Sequence, residues 1–344
     1  MFRLLHKIAV SGCGNVGTAL LELLCEKRAE LKEKYGFEFE VTLICDLFKG
    51  TVADKNGLDL NAVINSLHTT NSLAGLNKDV QGEFGELLDS AEVTMLCEAT
   101  PTNVETGEPA LSHIKAALSK SIDVSTTVKG PLSLAYDELS ALAKQNGAQL
   151  QFEGVVMSGT PFITMLNHGL AGCRILKIEG IINGTTNFIL SKMYSGASYE
   201  EAFNTAKELG YTETDPSGDI DAWDPAVKVV ILTKMLYGKQ ISVSDVDRTG
   251  IANVTFEDME RAKEDGCTIK LIAGIENNHG DIKAYVAPKK IPMTHPLASI
   301  NGAINAATVY TDNLGTTTII GPGAGRRATG QAMLLDLLTM AGKR

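Results

Sequence analysis

The sequence predicts an α/β protein of two domains: a doubly wound parallel sheet, then an α+β domain with a mixed sheet. Strand-like and helix-like segments alternate over about the first 150 residues, and a glycine-rich turn joins the first strand to the first helix. After about Val156, β-branched segments instead pair around tight turns. Alternation of strands and helices predicts βαβ units and a parallel sheet, whereas strands joined by short turns predict antiparallel pairing.

The composition limits the classes of function. A chain of 344 residues with 44% hydrophobic and 21% charged residues is typical of a globular protein of about two domains. The net charge of −10 gives no general attraction to nucleic acid or to an anionic membrane, so a small-molecule partner is expected. The six cysteines form no CxxC pair and no zinc spacing, which favours a reducing cytoplasm. We find neither a signal peptide pattern nor an apolar run near the roughly 18 residues of a membrane span.

The first domain is expected to cover residues 1–150, with the segment from about 318 to 344 returning to it. Its predicted strands are HKIAVS, EVTLICD, EVTMLCE, SIDVSTT and QLQFEGVV. A long helix with apolar positions Leu20, Leu21, Leu24 and Leu31 follows the first strand, and ELSALAKQNG is a second predicted helix.

The second domain is expected to cover residues 151–317 and to bind substrate. MSGTPFITMLNHGLAG predicts a helix punctuated by glycines, RILKIEGIING a strand, and YEEAFNTAKELG and PAVKVVILTKMLYG two further helices. TIKLIAGIENNHG and IKAYVAPKKIP predict antiparallel strands around the turn at residues 277–280. ATVYTDNLGTTTIIGPGAG predicts another strand pair, and the last helix is expected from about Ala328 to Ala341.

The glycine turn GCGNVG at residues 12–17 predicts a dinucleotide-binding site of the Rossmann type. It matches G-x-G-x-x-G between a strand and a helix, the context in which this motif is informative. Gly12 permits the tight turn, Gly14 lets the backbone approach the pyrophosphate, and Gly17 lets helix and strand pack closely. The helix amino terminus then offers amides and partial positive charge to the phosphates, at Asn15, Val16 and Gly17.

Asp46, at the end of the second strand, is the candidate partner of the adenosine ribose hydroxyls. A carboxylate there favours NAD over NADP. Lys49 lies close enough in sequence to offer a cation to a 2′-phosphate, so the preference between NAD and NADP stays open. Asp46 also has a simpler interpretation as a turn residue that ends the strand.

Eight segments resemble those of one enzyme family and occur in its order: GCGNVG, CEATPTN, TTVKGPLSLA, FEGVVMSGTP, EGIINGTTNFIL, KELGYTETDP, GDIDAWDPAVKVVIL and GPGAGRRATG. The chain resembles the short form of the homoserine dehydrogenases, without a fused kinase or a carboxyl-terminal regulatory domain. The resemblance implies interconversion of L-aspartate 4-semialdehyde and L-homoserine with NADPH or NADH, in threonine and methionine biosynthesis. It also implies a homodimer formed through the second domain.

The resemblance assigns roles to residues. Glu213 corresponds to the carboxylate that binds the substrate ammonium, and Asp219 and Asp224 to residues of the same pocket. Lys228 corresponds to the proton-transferring lysine, and Lys129 to a second lysine near the nicotinamide. Thr100 matches a position beside the cofactor. A monovalent cation such as Na⁺ is implied at Glu153, Val156, Ser158 and Thr160, mostly through backbone carbonyls.

The residues themselves support part of these assignments. Lysine can donate a proton to an aldehyde oxygen and accept one from a hydroxyl, as hydride transfer requires. Lys228 stands in the apolar run AVKVVIL, although a lysine there can also extend its amine to the helix surface. Asp224 before Pro225 is also a standard helix start. Asp215 and Asp221 are expected to be a turn residue and a solvated charge.

Two glycine-containing segments complete the predicted site. The hydroxyls and amides of NGTTN, including Thr185, are expected either to bind the polar groups of the substrate or, through Thr185 or Thr186, to cap a helix. Gly323 and Gly325 are expected to lie close to the cofactor, and Arg326 and Arg327 to be surface charges. Two other functions stay open: a related dehydrogenase acting on another small amino or hydroxy acid, and a nucleotide-sensing protein without turnover.

Overall fold

The structure is a computed structural model that describes residues 5–76, 78–212 and 215–342. The chain divides into two compact units. The first consists of Met1–Val155 and Gly325–Arg344, and the second of Val156–Ala324. Within the described ranges, we find no helix that is both long and apolar enough to cross a membrane.

The first unit contains a six-stranded sheet. Its strands are β1 (Leu5–Ser11), β2 (Glu38–Asp46), β3 (Gly50–Ala53), β4 (Met95–Glu98), β5 (Asp123–Thr126) and β6 (Leu150–Gln151). The order is β3-β2-β1-β4-β5-β6. All neighbours are parallel except β2 and β3, which form an antiparallel pair at the edge. The predicted parallel sheet is confirmed, and β3 is an added strand whose four residues are too few to show a pattern.

Helices cover both faces of this sheet. They are α1 (Asn15–Tyr35), α2 (Leu60–Thr69), α3 (Phe84–Ser90), α4 (Ala110–Ser119) and α5 (Lys129–Gln145). Because side chains alternate along a strand, β1 contributes to two cores. Ile8 and Val10 belong to the core that includes Leu20 and Leu24 of α1, whereas Ala9 belongs to the core that includes Ile114 of α4. The unit is therefore doubly wound, as the sequence predicts.

The segment between β6 and β7 is less regular than predicted. QLQFEGVV is a strand only at β6, because the Glu153 amide donates to the Asp336 carboxylate at 3.3 Å, away from the strand ladder. It continues as α6 (Gly154–Met157). The single helix predicted for residues 157–172 is wrong: only α7 (Phe162–Thr164) and a π-helix (Met165–Gly169) form. Ser158 has a positive φ of 53°, and Pro161 has no N–H to donate, so a continuous helix cannot form.

The second unit contains a mixed six-stranded sheet. Its strands are β7 (Ile175–Ile181), β8 (Asp247–Arg248), β9 (Cys267–Asn278), β10 (Asp281–Pro292), β11 (Ile304–Thr311) and β12 (Thr316–Pro322), in the order β12-β11-β7-β9-β10-β8. Pairing is antiparallel except between β8 and β10. The predicted hairpin between β9 and β10 is confirmed, with Asn278 opposite Asp281 at its end.

Five helices follow or separate these strands. They are α8 (Gly184–Tyr194), α9 (Tyr199–Glu208), α10 (Ser217–Ile220), α11 (Trp223–Tyr237) and α12 (Phe256–Glu264), with a short 3₁₀ turn at Val243–Asp245. Ser198 and Thr255 begin α9 and α12 with reciprocal side-chain and backbone hydrogen bonds, the capping box. Helix α11 is buried almost all round, so its inner residues cannot reach solvent freely.

The last helix, α13 (Arg326–Met340), packs against α1 in the first unit. Arg326 and Arg327, predicted to be surface charges, pair with Glu22 and Glu26 of α1. They are partly exposed, so these pairs contribute little to stability. Buried apolar residues such as Met333 and Leu337 hold the helix in place.

Candidate active site

The glycine turn has the geometry that a dinucleotide loop needs. Gly12 has a φ of 89°, and a Cβ there would lie 2.5 Å from the Ala99 carbonyl oxygen. A Cβ on Gly17 would lie 1.9 Å from the Gly12 carbonyl oxygen, so strand and helix meet with no room for a side chain. Gly14, in contrast, has open space around it and no side chain caps α1 there. The residues present therefore fit a bound pyrophosphate at the start of α1.

Asp46 joins the end of β2 to this turn. Its Oδ2 accepts a hydrogen bond from the Cys13 amide at 2.7 Å, and its Oδ1 accepts from the amides of Phe48 and Lys49 at 3.0 and 3.1 Å. The Lys49 ammonium donates to the Cys13 carbonyl oxygen at 2.5 Å. Asp46 thus has the turn role that the sequence allows, and its carboxylate is also fixed beside the glycine turn.

Thr100 is held by a buried carboxylate that the sequence did not reveal. Glu98 is fully buried and accepts hydrogen bonds from both the amide and the hydroxyl of Thr100. His113 Nδ1 lies 2.9 Å from the other Glu98 oxygen and 3.1 Å from Ser11 Oγ. The only sequence signal is a carboxylate that ends an apolar strand, since His113 is distant along the chain.

The remaining cofactor candidates are dispersed. Lys129 is the first residue of α5 and is half-buried. Gly323 belongs to the second unit, where a Cβ would meet the Asn305 side chain at 2.1 Å, and Gly325 belongs to the first unit, with a φ of 133°. Both positions require glycine. Their contact with the cofactor stays a prediction.

The acidic residues and the lysine of the second unit come together around one amide. Asn183, the N-cap of α8, accepts the Thr186 amide on Oδ1 at 3.0 Å, which turns its Nδ2 the other way. That Nδ2 donates to Asp219 Oδ1 at 2.6 Å and to Asp224 Oδ2 at 3.1 Å. Asn183 therefore fixes the spacing of the two carboxylates.

Lys228 lies beside these carboxylates and is 7% exposed. Its ammonium donates to Asp224 Oδ2 at 2.7 Å and to the Ile182 carbonyl oxygen at 2.7 Å. Asp224 stands one helical turn earlier on the same face of α11, so the helix itself sets this pair. The alternative in which Lys228 extends its amine to the helix surface is wrong. The two carboxylates can bind a cationic group, and the buried ammonium beside Asp224 can transfer a proton.

The start of α11 differs from the predicted start at Asp224. The N-cap is Ala222, in the left-handed conformation with φ 63° and ψ 29°, and Asp224 lies in the first turn. The Arg248 guanidinium stacks on Trp223 at 3.5 Å and also donates to the Asp221 carbonyl oxygen. Because the helix begins earlier, the Asp224 carboxylate faces Asn183 and Lys228.

Three other residues of the acidic stretch and of NGTTN can be assigned, and a fourth cannot. Glu213 lies outside the described residues. Asp215 is a turn residue whose Oδ1 accepts the Ser217 amide at 3.0 Å, and Asp221 is exposed, as predicted for both. Thr185 Oγ1 donates to the Tyr211 carbonyl oxygen at 2.7 Å. The prediction that Thr185 or Thr186 caps α8 is wrong, because Asn183 supplies the capping side chain.

The four residues predicted to hold a monovalent cation are all buried: Glu153, Val156, Ser158 and Thr160. The Thr160 hydroxyl donates to the Pro322 carbonyl oxygen at 3.1 Å. Among the described residues, no group of three or more His, Cys, Asp or Glu side chains is arranged to hold a metal ion. A cation there would depend on backbone oxygens, and this site stays a prediction.

Comparison with known proteins decides the family. The family model for homoserine dehydrogenase matches residues 161–338. The chain belongs to the homoserine dehydrogenase family. It is 39% identical to an NAD(+)-dependent homoserine dehydrogenase of Pseudomonas canavaninivorans over 97% of this chain and 95% of the relative. It is 37% identical to a homoserine dehydrogenase of Methanocaldococcus jannaschii over 96% of this chain and 97% of the relative.

Solved structures agree with this assignment. A putative homoserine dehydrogenase from Archaeoglobus fulgidus has a TM-score of 0.88 at 36% identity, covering 97% of this chain and 99% of the other. A hyperthermophilic archaeal homoserine dehydrogenase in complex with NADPH has a TM-score of 0.85 at 32% identity, covering 99% of each chain. The chain is therefore an NAD(P)-dependent oxidoreductase that interconverts L-homoserine and L-aspartate 4-semialdehyde. The predicted family, fold class and reaction are confirmed.

Proposed function

We propose that Lys228 is the proton donor and acceptor of the homoserine dehydrogenase reaction. The observation that carries this proposal is its buried ammonium, bonded on two sides to Asp224 and to the Ile182 carbonyl oxygen. An ammonium has three N–H groups, so these two bonds leave one direction for a substrate oxygen. When bound, the nicotinamide cofactor accepts or donates the hydride. In homoserine oxidation, Lys228 in its neutral form removes the hydroxyl proton, and in the reverse reaction its ammonium returns it.

The carboxylates give the substrate its orientation. Asp219, Asp224 and Lys228 together carry a net charge of −1 when the acids are ionised and the lysine is protonated, which favours the cationic amino group of homoserine. Asn183 uses its Nδ2 on both carboxylates, so they stay fixed while the substrate binds. Glu213 and Thr185 are proposed to complete the substrate contacts, and Lys129 and Thr100 those of the cofactor.

The test is the rate of homoserine-dependent reduction of NAD⁺ and NADP⁺ by the purified protein. Lys228→Met is expected to lower kcat by about 10²- to 10⁴-fold, the contribution of a positioned general base. Binding of the reduced cofactor, measured by fluorescence, should stay within about twofold. Lys239→Met is the matched control, because Lys239 is exposed just after the same helix. Near-native turnover of Lys228→Met would show that another group moves the proton.

We further propose that the chain prefers NAD to NADP. Asp46 is fixed beside the glycine turn by three backbone amides, and a negative charge at this position accepts ribose hydroxyls and repels a 2′-phosphate. Lys49 donates to the Cys13 carbonyl oxygen instead of standing free for a phosphate. We expect kcat/KM for NAD⁺ to exceed that for NADP⁺ by about 100-fold, or about 2.7 kcal/mol.

Substitution at Asp46 tests this preference. Asp46→Ser is expected to remove most of the preference, because the repulsion is lost and Lys49 becomes able to meet the 2′-phosphate. Adding Lys49→Met to Asp46→Ser should then lower kcat/KM for NADP⁺ but not for NAD⁺. If Asp46→Ser keeps the ratio of the wild type, Asp46 does not select the cofactor.

We propose a homodimer formed through the second unit. Strand β12 is an edge strand of that sheet and is rich in β-branched residues. Ile320 is 55% exposed and Ile304 is 38% exposed beside it, an apolar edge that isolated sheets rarely leave uncovered. Light scattering should give the mass of two chains, and Ile320→Lys should shift it towards one. Leu47→Lys, at an exposed site of the first unit, should not.

The cellular setting is proposed to be a reducing cytoplasm. All six cysteines are free thiols. Burial raises the pKa of Cys13 and of Cys45 to about 12, so these thiols near the glycine turn stay protonated. A mild thiol-alkylating reagent at neutral pH should therefore leave Cys13 and Cys45 unmodified and the activity unchanged. Alkylation of Cys13, found by mass spectrometry, would contradict this.

A further inference from the structure

A second lysine of the second unit is buried more completely than Lys228. Lys270, on β9, is 1% exposed. Its ammonium donates to the Ile300 carbonyl oxygen at 2.5 Å, to Asn301 Oδ1 at 3.0 Å and to Asn187 Oδ1 at 3.1 Å. Each of these oxygens is neutral, and burial lowers the pKa of Lys270 to about 8. A buried charge without a counter-charge costs free energy, so its place in the fold calls for a compensating role.

The partners of Lys270 belong to a loop and a helix that it joins. Residues 300–303 lead into β11, which begins at Ile304. We call residues 300–304 together the 300–304 loop. Asn187 Nδ2 of α8 lies within hydrogen-bond distance of three carbonyl oxygens that its two N–H groups share: those of Ile300 at 3.2 Å, Gly302 at 2.9 Å and Ile304 at 3.1 Å. Ser191, one turn further along α8, accepts the Gly302 amide at 3.2 Å and lies 3.4 Å from the Lys270 ammonium. Lys270 therefore ties β9, the loop and α8 together.

The same loop lies against the amino terminus of α8. A Cβ on Gly184 would come within 3.2 Å of the Ala303 carbonyl oxygen, so the two backbones are closely packed. Gly184 follows Asn183 directly, and Asn183 is the residue whose amide holds Asp219 and Asp224. A shift of the loop relative to α8 would thus move the amide that spaces the two carboxylates.

We propose that Lys270 is a positioning residue for homoserine oxidation: it fixes the 300–304 loop to α8 and thereby holds Asn183, Asp219 and Asp224 in their catalytic spacing. This inference rests on the proposed function of the carboxylates and Lys228. Its physical basis is that a misplacement of about 1 Å in a catalytic group can lower the rate about 100-fold. The charged, three-donor end of a lysine is suited to the task, since from β9 it bonds oxygens of both the loop and α8.

Steady-state kinetics of Lys270→Met test the inference. We expect KM for homoserine to rise about tenfold and kcat to fall severalfold. Each change is smaller than the roughly 100-fold loss of rate that a misplacement of about 1 Å can cause. KM and Kd for the dinucleotide should stay within about twofold, because the glycine turn belongs to the first unit. Tyr237→Phe is the matched control: it removes a partly buried hydrogen bond to the Ile175 carbonyl oxygen elsewhere in the same unit, at 3.2 Å. It should lower stability without changing either kinetic constant.

A residue that only stabilises the fold would behave like Tyr237. If Lys270→Met is folded and keeps the wild-type KM and kcat for homoserine, the inference is wrong. If that variant does not fold, Ser191→Ala provides the milder test. In Ser191→Ala we expect KM for homoserine to rise about threefold, less than the roughly tenfold rise expected for Lys270→Met. Unchanged kinetics in folded Ser191→Ala would then overturn the inference.

Hydrogen exchange separates this inference from the proposed function. In the wild type, the amides of residues 186–190 in α8 should be protected, and folded Lys270→Met or Ser191→Ala should lose protection there before they lose it in α11. If Lys228→Met keeps near-native turnover, the proposed function fails, and exchange still decides whether Lys270 holds α8. Unchanged protection of α8 in the variants would show that Lys270 does not fix the 300–304 loop to α8.

Discussion

Lys228 and Lys270 are both buried in the second unit, yet their surroundings differ. Lys228 pairs with the Asp224 carboxylate and retains one N–H direction beyond its two protein partners. Lys270 meets four oxygens of the chain, none of them a carboxylate. Burial alone therefore does not mark a lysine that transfers protons. An unoccupied donor direction next to acidic residues distinguishes Lys228, for which proton transfer is proposed, and a full set of neutral partners distinguishes Lys270, for which positioning is proposed.

The largest effect is expected from removing the charge that distinguishes the two lysines. Asp224→Asn leaves Lys228 with neutral partners, as Lys270 has, and also removes one carboxylate from the site for the substrate ammonium. We expect kcat/KM for homoserine to fall about 100-fold, equal to about 2.7 kcal/mol, with the dinucleotide Kd unchanged. Asp221→Asn, three residues earlier and exposed, is the control. A fall of less than threefold would mean that the pairing with Asp224 is not what sets Lys228 apart.

An effect of intermediate size is expected in the pH dependence of stability. The pKa of Lys270 is about 8 in the folded protein and about 10.4 when unfolded, so the unfolded chain binds more protons between these values. Stability must then rise with pH in this window, and the cost of the buried charge is fully present below pH 8. The free energy of unfolding of the wild type minus that of Lys270→Met should increase by about 1–3 kcal/mol between pH 7.5 and 10. Urea titrations measure it, and a flat difference would contradict the shift.

The smallest effect, on stability, is expected from a substitution at Trp223, on the exposed side of the start of α11. Trp223→Leu removes the stacking of Arg248 on the indole at the start of α11. Exposed cation–π contacts contribute about 0.5–1 kcal/mol, so the urea midpoint should fall slightly. Turnover should change less than in Asp224→Asn, because Trp223 supports the helix start from outside. A loss of turnover larger than that of Asp224→Asn would assign Trp223 a direct role.

The two lysines also show what the sequence could reveal. The burial of Lys228 and its pairing with Asp224 were predictable because their signals are local: an apolar helix and Asp224 four positions earlier. The contacts of Lys270 were not, because TIKLIAG has only the pattern of a strand and the partner oxygens are supplied by residues distant in sequence, at 187 and 300–301. Glu98 and His113 were missed for the same reason.

The fold followed similar rules. Strands and helices that repeat a regular pattern, such as β1, α1 and the β9–β10 hairpin, were predicted from the sequence. Residues 149–172 were not, since a positive φ at Ser158 and a hydrogen bond from the Glu153 amide to Asp336 replace regular structure there. Such features depend on neighbours brought together by folding, which periodicity does not encode.

The backbone of Ala222 places a constraint of another kind on the acidic stretch. A left-handed conformation costs an L-residue about 1–2 kcal/mol, and here it turns the chain so that α11 begins before Asp224. Side chains branched at Cβ fit this conformation worst. In a mutational scan, position 222, which is fully buried, should therefore accept glycine and reject valine or isoleucine. Its tolerance would follow the torsion angles of the chain, whereas that of positions 219, 224 and 228 would follow charge.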